Sequence, residues 1–460
     1  VRTNEFTEAA TLGAQYSAIT LDKAVRPQQI ALTLSAVQIR FLRQQGGSMN
    51  RKIFIRTAAA LAAIPLSLAV SQSIAQTANV TLYGIVDVGV QHVTGVKGGS
   101  ITQVASGIME GSRWGLRGTE DMGNGYKTMF VLESRFEADT GGLSNRPISG
   151  TQLPDRLTAG LPPAVQAALN GAVGSSLGVN LPGRLFDRQA FVGLVTPFGA
   201  ILAGRQYTPA FEISNRFDAF ANASAASPGQ LLSIPAGIDI RESNSVLYRI
   251  ELNGFYGTGY YAFGENTAGT KNGRLVGING GYQTGKFGVG LGYNERTNSA
   301  GLKSLNSLIG GANFDTGFAN LFAMYGIIKE PNGATAPELR AGLIGGGVPA
   351  VLVDSSILPR FLQDARLYHF GARVPLGTGT LTVGYSQVDD RRATNADVTS
   401  YGAVYTYPMS KRTDLNVGVT QVNNNANAQV VGGGNGFLGG VSAFGGKDST
   451  SFQLSLRHKF

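Results

Sequence analysis

The chain has 460 residues, with 64 glycines, one tryptophan and no cysteine, which excludes a disulfide framework and thiolate metal centres but not export. Charged residues make up 15% of it and no run of 18 apolar residues occurs, so no membrane-spanning helix is encoded. The net charge of +9 misleads: residues 1–75 hold eight Lys/Arg against three Asp/Glu, which leaves +4 for 76–460 and no basic stripe of the kind that binds nucleic acid.

In chain order, the first feature is Met49. Arg51, Lys52 and Arg56 follow it as a basic region, 57–70 is a short apolar stretch, and Ser73-Ile74-Ala75 places small residues where a signal peptidase reads. A buried core helix is the alternative, but Pro65 and the basic flank argue against it. The spacing predicts a cleaved export signal over 49–75, a mature chain from about Gln76, and a non-native upstream extension over 1–48. Residues 76–460 then form one domain, since barrels exceed the usual size of a soluble domain.

That region alternates with a period of two. Phe287, Val289, Leu291 and Tyr293 oppose Gly288, Gly290, Gly292 and Asn294, and the same holds at 380–386, 414–420 and 451–460. Such strands have one apolar and one polar face. Short turns at 121–125, 196–199, 252–254, 284–286, 315–317, 375–379 and 408–412 alternate with longer connections at 92–107, 140–184, 209–239, 266–273, 297–305, 330–364, 391–397 and 423–447. Seven short turns and eight long loops predict sixteen strands in an all-β, transmembrane antiparallel β-barrel. Tyr83, Tyr207, Tyr293, Tyr325, Tyr385 and Tyr407 fall near strand ends, as interfacial girdles do.

Several motifs carry a family resemblance. They are Val80-Thr81-Leu82-Tyr83-Gly84, the run SRWGLRGTED over 112–121, Leu132-Glu133-Ser134, RQAFVGL over 188–194, GRQYTP over 204–209, RESNSVLY over 241–248 and Ser410-Lys411-Arg412-Thr413, with a terminal Phe460. In this order they resemble the general diffusion porins of Gram-negative bacteria, of the type common in Burkholderia-like species. The resemblance covers nearly all of 76–460. It implies a homotrimer in the outer membrane, in contact with lipid and lipopolysaccharide, whose long third loop folds into the lumen. It further implies a water-filled channel for passive diffusion of small solutes and ions, with Phe460 as the signal to the barrel-assembly machinery. Two stretches depart from the pattern: 142–184 and 330–364 are longer than expected and rich in Leu, Pro and Ala, and Pro162-Pro163 before AVQAALN can start a helix.

A pore selects by its width and by the charges at its narrowest point. Strand parity turns Arg113 and Arg117 inward if Trp114 and Leu116 face lipid, and turns Glu133 and Arg135 inward if Phe130 and Leu132 do. Arg188 and Arg205 follow on neighbouring strands, and Arg241 stands where the third loop rejoins the wall. By the resemblance, Arg113, Arg188 and Arg241 oppose the inserted loop, whose carboxylates are Glu212, Asp218 and Asp239 with Arg216 as a counter-charge. Basic candidates outnumber acidic ones, which favours a weak anion preference. The three histidines, His92, His369 and His458, form no metal-ligand spacing and none sits near a serine nucleophile motif, so neither a metal, a cofactor nor an enzyme activity is expected. The letters GxGxxG at 434–439 lack the helix that a dinucleotide site needs.

Overall fold

The computed structural model describes residues 79–232 and 239–460. The expected leader and the upstream extension lie outside the described residues.

Seventeen strand segments follow one another: β1 (Asn79–Val96), β2 (Gly99–Ser106), β3 (Arg113–Gly123), β4 (Tyr126–Arg135), β5 (Gln189–Thr196), β6 (Gly199–Tyr207), β7 (Arg241–Leu252), β8 (Phe255–Ala262) and β9 (Leu275–Gln283). The series continues with β10 (Phe287–Thr297), β11 (Lys303–Asp315), β12 (Asn320–Lys329), β13 (Asp364–Leu376), β14 (Gly379–Asp390), β15 (Val398–Pro408), β16 (Thr413–Asn424) and β17 (Ser449–Lys459). β1 pairs antiparallel with β2, from β3 onward each strand pairs antiparallel with the next, and β17 returns to β1, with Ile85 opposite Lys459 and Val93 opposite Ser451. The other edge of β1 pairs with β3 from Asn79 to Ile85 and with β2 from Val88 to Val96. β2 and β3 are therefore two halves of one stave, and the ring has sixteen staves. Closure matters because lipid offers no partner to a free strand edge.

The first expected long connection is corrected. Residues 92–107 are not a loop: β1 runs on to Val96, turns at Lys97-Gly98 and comes straight back as β2. Gly98 and Gly99 hold φ of 105° and 119°, which lets the hairpin close on so few residues. The irregularity falls instead at 107–112, inside the second stave. There the Asp87 carboxylate accepts the backbone N–H groups of Met109 (2.8 Å) and Glu110 (2.7 Å), and Ser112 Oγ accepts that of Asp87 at 3.0 Å. Asp87, through its buried carboxylate and its backbone, pins this short excursion to β1.

The two faces of the wall are inverted relative to a soluble protein. Leu82, Val192, Ile278, Leu291, Phe370 and Phe452 are all more than half exposed, whereas Asp87, Glu133, Asn294, Ser307 and His369 are fully buried. An apolar outside and a polar inside are what hydrocarbon demands of a barrel. Tyr325, Tyr385 and Tyr407 lie exposed on the outer face, as girdle residues should. Tyr83 and Tyr207 do not: Tyr83 pairs with inward-facing Gly115 and bonds Glu133, and Tyr207 is buried against arginines. Parity rather than nearness to a strand end decides which side a tyrosine serves.

Phe460 completes the seam. Its backbone N–H donates to Gly84 O at 3.0 Å and its carbonyl accepts from Gly84 N at 3.1 Å. Its ring covers the glycine so closely that a Cβ on residue 84 would overlap it.

An arginine in place of Leu291, which is 55% exposed on β10, is expected to destabilise the barrel by about 2–4 kcal/mol in lipid vesicles. Equilibrium urea titration measures this. A cost below about 1 kcal/mol would mean that this face does not meet the membrane core.

Candidate functional site

Three of the basic residues singled out from the sequence, Arg113, Arg188 and Arg241, connect to one carboxylate. Glu133, near the end of β4, is fully buried. Its Oε1 accepts from Arg188 Nε at 2.8 Å, its Oε2 accepts from the Tyr83 hydroxyl at 3.1 Å, and Arg113 Nε stands 3.6 Å from Oε2. The Tyr207 hydroxyl accepts from both Arg188 Nη2 (3.3 Å) and Arg241 Nη2 (2.8 Å), and the Arg241 guanidinium lies 4.4 Å over the Tyr207 ring. Arg113, Glu133, Arg188, Tyr207 and Arg241 thus form one chain of contacts across β3 to β7. On the other side Arg113 pairs with Glu110 at 2.9 Å, Glu110 pairs with Arg457 at 2.6 Å, and Arg457 pairs with Asp414 at 2.7 Å.

Other candidates are placed differently. Arg117 shares the inward parity but is exposed, with its guanidinium 5.1 Å from the Tyr83 ring centre. Arg135 is an anchor: it bonds Glu137 at 2.9 Å and the Gly436 carbonyl of the last loop. Burial raises the Glu137 carboxyl above the usual carboxylate range, against the lowering effect of Arg135. Arg205 lies at a register shift between Gly204 and Gln206, where alternation breaks, and it donates to Asp187 O and Ser243 Oγ. With Arg184, Arg241 and Asp187 it lines a cleft of about 190 Å³ beneath residues 176–182.

The third long loop begins as α3, as the helices number here after α1 (Asp155–Thr158) and α2 (Pro163–Ala172). α3 spans Pro209–Phe217, with proline at its first turn. Ala210 N donates to Asn294 Oδ1, and Asn279 Nδ2 donates to Glu212 Oε2 at 2.9 Å. Ile213 and Phe217 pack onto Gly290 and Gly311, on the face opposite the exposed Leu291. Ala219, Phe220 and Ala226 then meet Gly371, Gly384 and Gly402 in turn. Glycines on β10, β11, β13, β14 and β15 leave room for these side chains against the wall.

The loop's carboxylates are all engaged. Glu212 pairs with Arg249, and Asp239 is held by Arg296 Nε through both oxygens at 3.1 Å. Asp218, fully buried, accepts the N–H groups of Phe220 and Asn222 and the Ser227 hydroxyl, each at 2.8 Å. The structure also brings Ser386, His369 and Asp218 together, a grouping not picked from the sequence because it joins the β13–β14 hairpin to the third loop. It is a lock and not a hydrolase triad. Ala219 N–H donates to His369 Nε2 at 3.0 Å, so the ring proton is on Nδ1 and points to Ser386 Oγ at 2.9 Å. That imidazole has no basic nitrogen facing the serine.

The model of the Gram-negative porin family matches residues 57–427. The chain belongs to that family. An outer membrane porin protein of Bordetella pertussis is 26% identical over 383 residues, covering 73% of this chain and 87% of that protein. Outer membrane porin protein 32 of Delftia acidovorans is 26% identical over 411 residues, covering 85% and 97%. Among solved structures, the anion-selective porin from Comamonas acidovorans superposes with a TM-score of 0.63 at 24% identity, covering 83% of this chain and all of that one.

This porin is an integral outer-membrane β-barrel that acts as a channel for passive diffusion and not as an enzyme. Tyr83, Tyr207, Glu110 and Arg457 belong to its charged network and were not among the pore residues picked from sequence, where Tyr83 and Tyr207 were read as girdle residues. Parity was the available signal, since Arg457 alternates with exposed Leu454 and Leu456.

Replacing Glu133 by Ala removes the counter-charge shared by Arg113 and Arg188, and is expected to cost about 3–5 kcal/mol. Glu133→Gln, which keeps hydrogen-bond acceptance, should recover part of it. The urea midpoints of the refolded barrels measure both. A valine at Gly311 would set its Cβ 2.5 Å from that of Phe217, so it should displace α3 and change the single-channel conductance in planar bilayers.

Proposed function

We propose that the third loop narrows the lumen of this porin, and that an excess of unpaired positive charge there gives a weak anion preference. One observation carries the reading: every carboxylate of the site is bonded, while four of the arginines face none. Glu133, Glu212, Asp218 and Asp239 are each bonded to arginines or to loop backbone. Among the described residues, no carboxylate oxygen lies within 4 Å of the guanidinium of Arg117, Arg205, Arg216 or Arg241.

Arg113, Arg188 and Arg241 form the wall side of a transverse field, and α3 with Glu212 forms the other. Hydrated solutes orient in that field as they pass, with no binding step. The Comamonas relative is named as anion-selective, which supports the sign. Asp218 and Arg135 serve as anchors in this reading, and Arg205 acts in the cleft above. We also propose a homotrimer in contact with lipopolysaccharide and a role for Phe460 in recognition by the assembly machinery. The motif resemblance supports these proposals, as does the position of Phe460, partly exposed at the closing seam.

In planar bilayers under a KCl gradient, the reversal potential should carry the sign of chloride preference. Arg241→Gln should lower the chloride-to-potassium permeability ratio about twofold. A cation-preferring channel, or one indifferent to this substitution, would refute the proposed field.

A further inference from the structure

The two stretches that stand apart from the family pattern are one structure. The loop joining β4 to β5 carries α1 and α2, and the loop joining β12 to β13 carries α4 (Ala336–Gly345) followed by helical turns up to Phe361. Leu157, Leu161 and Leu169 of the first share a buried core with Leu343, Val353 and Ile357 of the second. Val165 and Leu169, one turn apart on α2, point the same way into it. Arg360 Nη1 donates to the Ala159 carbonyl at 2.7 Å and so ties the second loop to the first.

Their origins matter. In the ring of sixteen staves, β4 and β5 are the third and fourth, and β12 and β13 the eleventh and twelfth. The two loops therefore rise from opposite walls. Sixteen tilted strands enclose a barrel about 30 Å across. Loops rooted that far apart share a core only by crossing the mouth between them. Further bonds hold the crossing down. Asp155 pairs with Lys97 of the β1–β2 turn at 2.5 Å and accepts from Gln429 of the last loop at 3.0 Å, while Arg392 donates to Leu362 O.

We propose that this helical cap is a fixed size screen spanning the outer mouth, which rejects bulky solutes before they reach the charged constriction. A hydrophobic core and tethers to several loops make it a roof and not a swinging lid. The proposal rests on the channel reading, but not on the sign of its ion preference.

The test has two parts. In the first, the unmodified channel sits in a planar bilayer and polyethylene glycols of graded size are added to one side or the other. The screen requires a smaller size cut-off from one side than from the other, and equal cut-offs would overturn it. In the second, Leu169→Asp and a variant with 156–172 replaced by a short Gly-Ser linker are checked for heat-modifiable barrel folding. They are then assayed by swelling of vesicles in arabinose and in raffinose. The expected result is at least a threefold rise in the raffinose-to-arabinose rate ratio. An unchanged ratio, or an equal rise for both sugars, would overturn the screen. The reversal potential reads the arginine field separately, so the two ideas fail independently. If neither variant folds, the polymer measurement on the unmodified channel still decides.

Discussion

In hydrocarbon an unpaired backbone N–H or carbonyl has no water to turn to, and each one left open costs several kcal/mol. The rest of this porin depends on how the chain meets that constraint. β17 returns to β1, the terminal residue exchanges two backbone hydrogen bonds with Gly84, and no edge of the ring is left open. The second stave satisfies the same condition although it is broken. Where 107–112 leave the ladder, Asp87 and Ser112 supply the missing partners from side chains.

Closure creates an interior, and the interior is where charge can be kept. Glu133 is buried beneath Arg113, Arg188 and Tyr83, and Tyr207 passes the network on to Arg241. A carboxylate so enclosed is stable only because the guanidiniums and the hydroxyl replace its water. The third loop obeys the same logic. Its carboxylates are spent on Arg249, Arg296 and its own backbone, while the wall's glycines accept its apolar side chains. The letters GxGxxG at 434–439 are part of this packing: Asn435 and Gly436 bond the 107–112 excursion, and Asn435 reaches the third loop at Asn222. Loop-to-loop hydrogen bonds of this kind tie the long connections to one another.

Much of the architecture was legible. Period-two alternation, the rhythm of short turns and long loops, and the absence of apolar helices led to sixteen strands because lipid leaves few other ways to satisfy a backbone. The one misplaced connection, 92–107, is rich in Gly, Thr and Ser, whose weak patterning hides a hairpin. Arg113 was legible by parity and by motif, and Arg188 and Arg241 by motif. Their partners Tyr83 and Tyr207 were misread as girdle residues, since a tyrosine near a strand end looks the same whichever way it faces.

The sequence alone determined which residues face lipid and which face away, because a period of two is a local property of an extended chain. It also set the strand number and the start of α2 at Pro163, where the fixed φ of proline suits a first turn. Only the tertiary structure decided what those inward residues do. Whether Asp218 meets His369 and whether 142–184 finds 330–364 depend on contacts between segments over a hundred residues apart. Such contacts arise from barrel closure, which brings opposite staves within reach and leaves no mark on any local window of sequence.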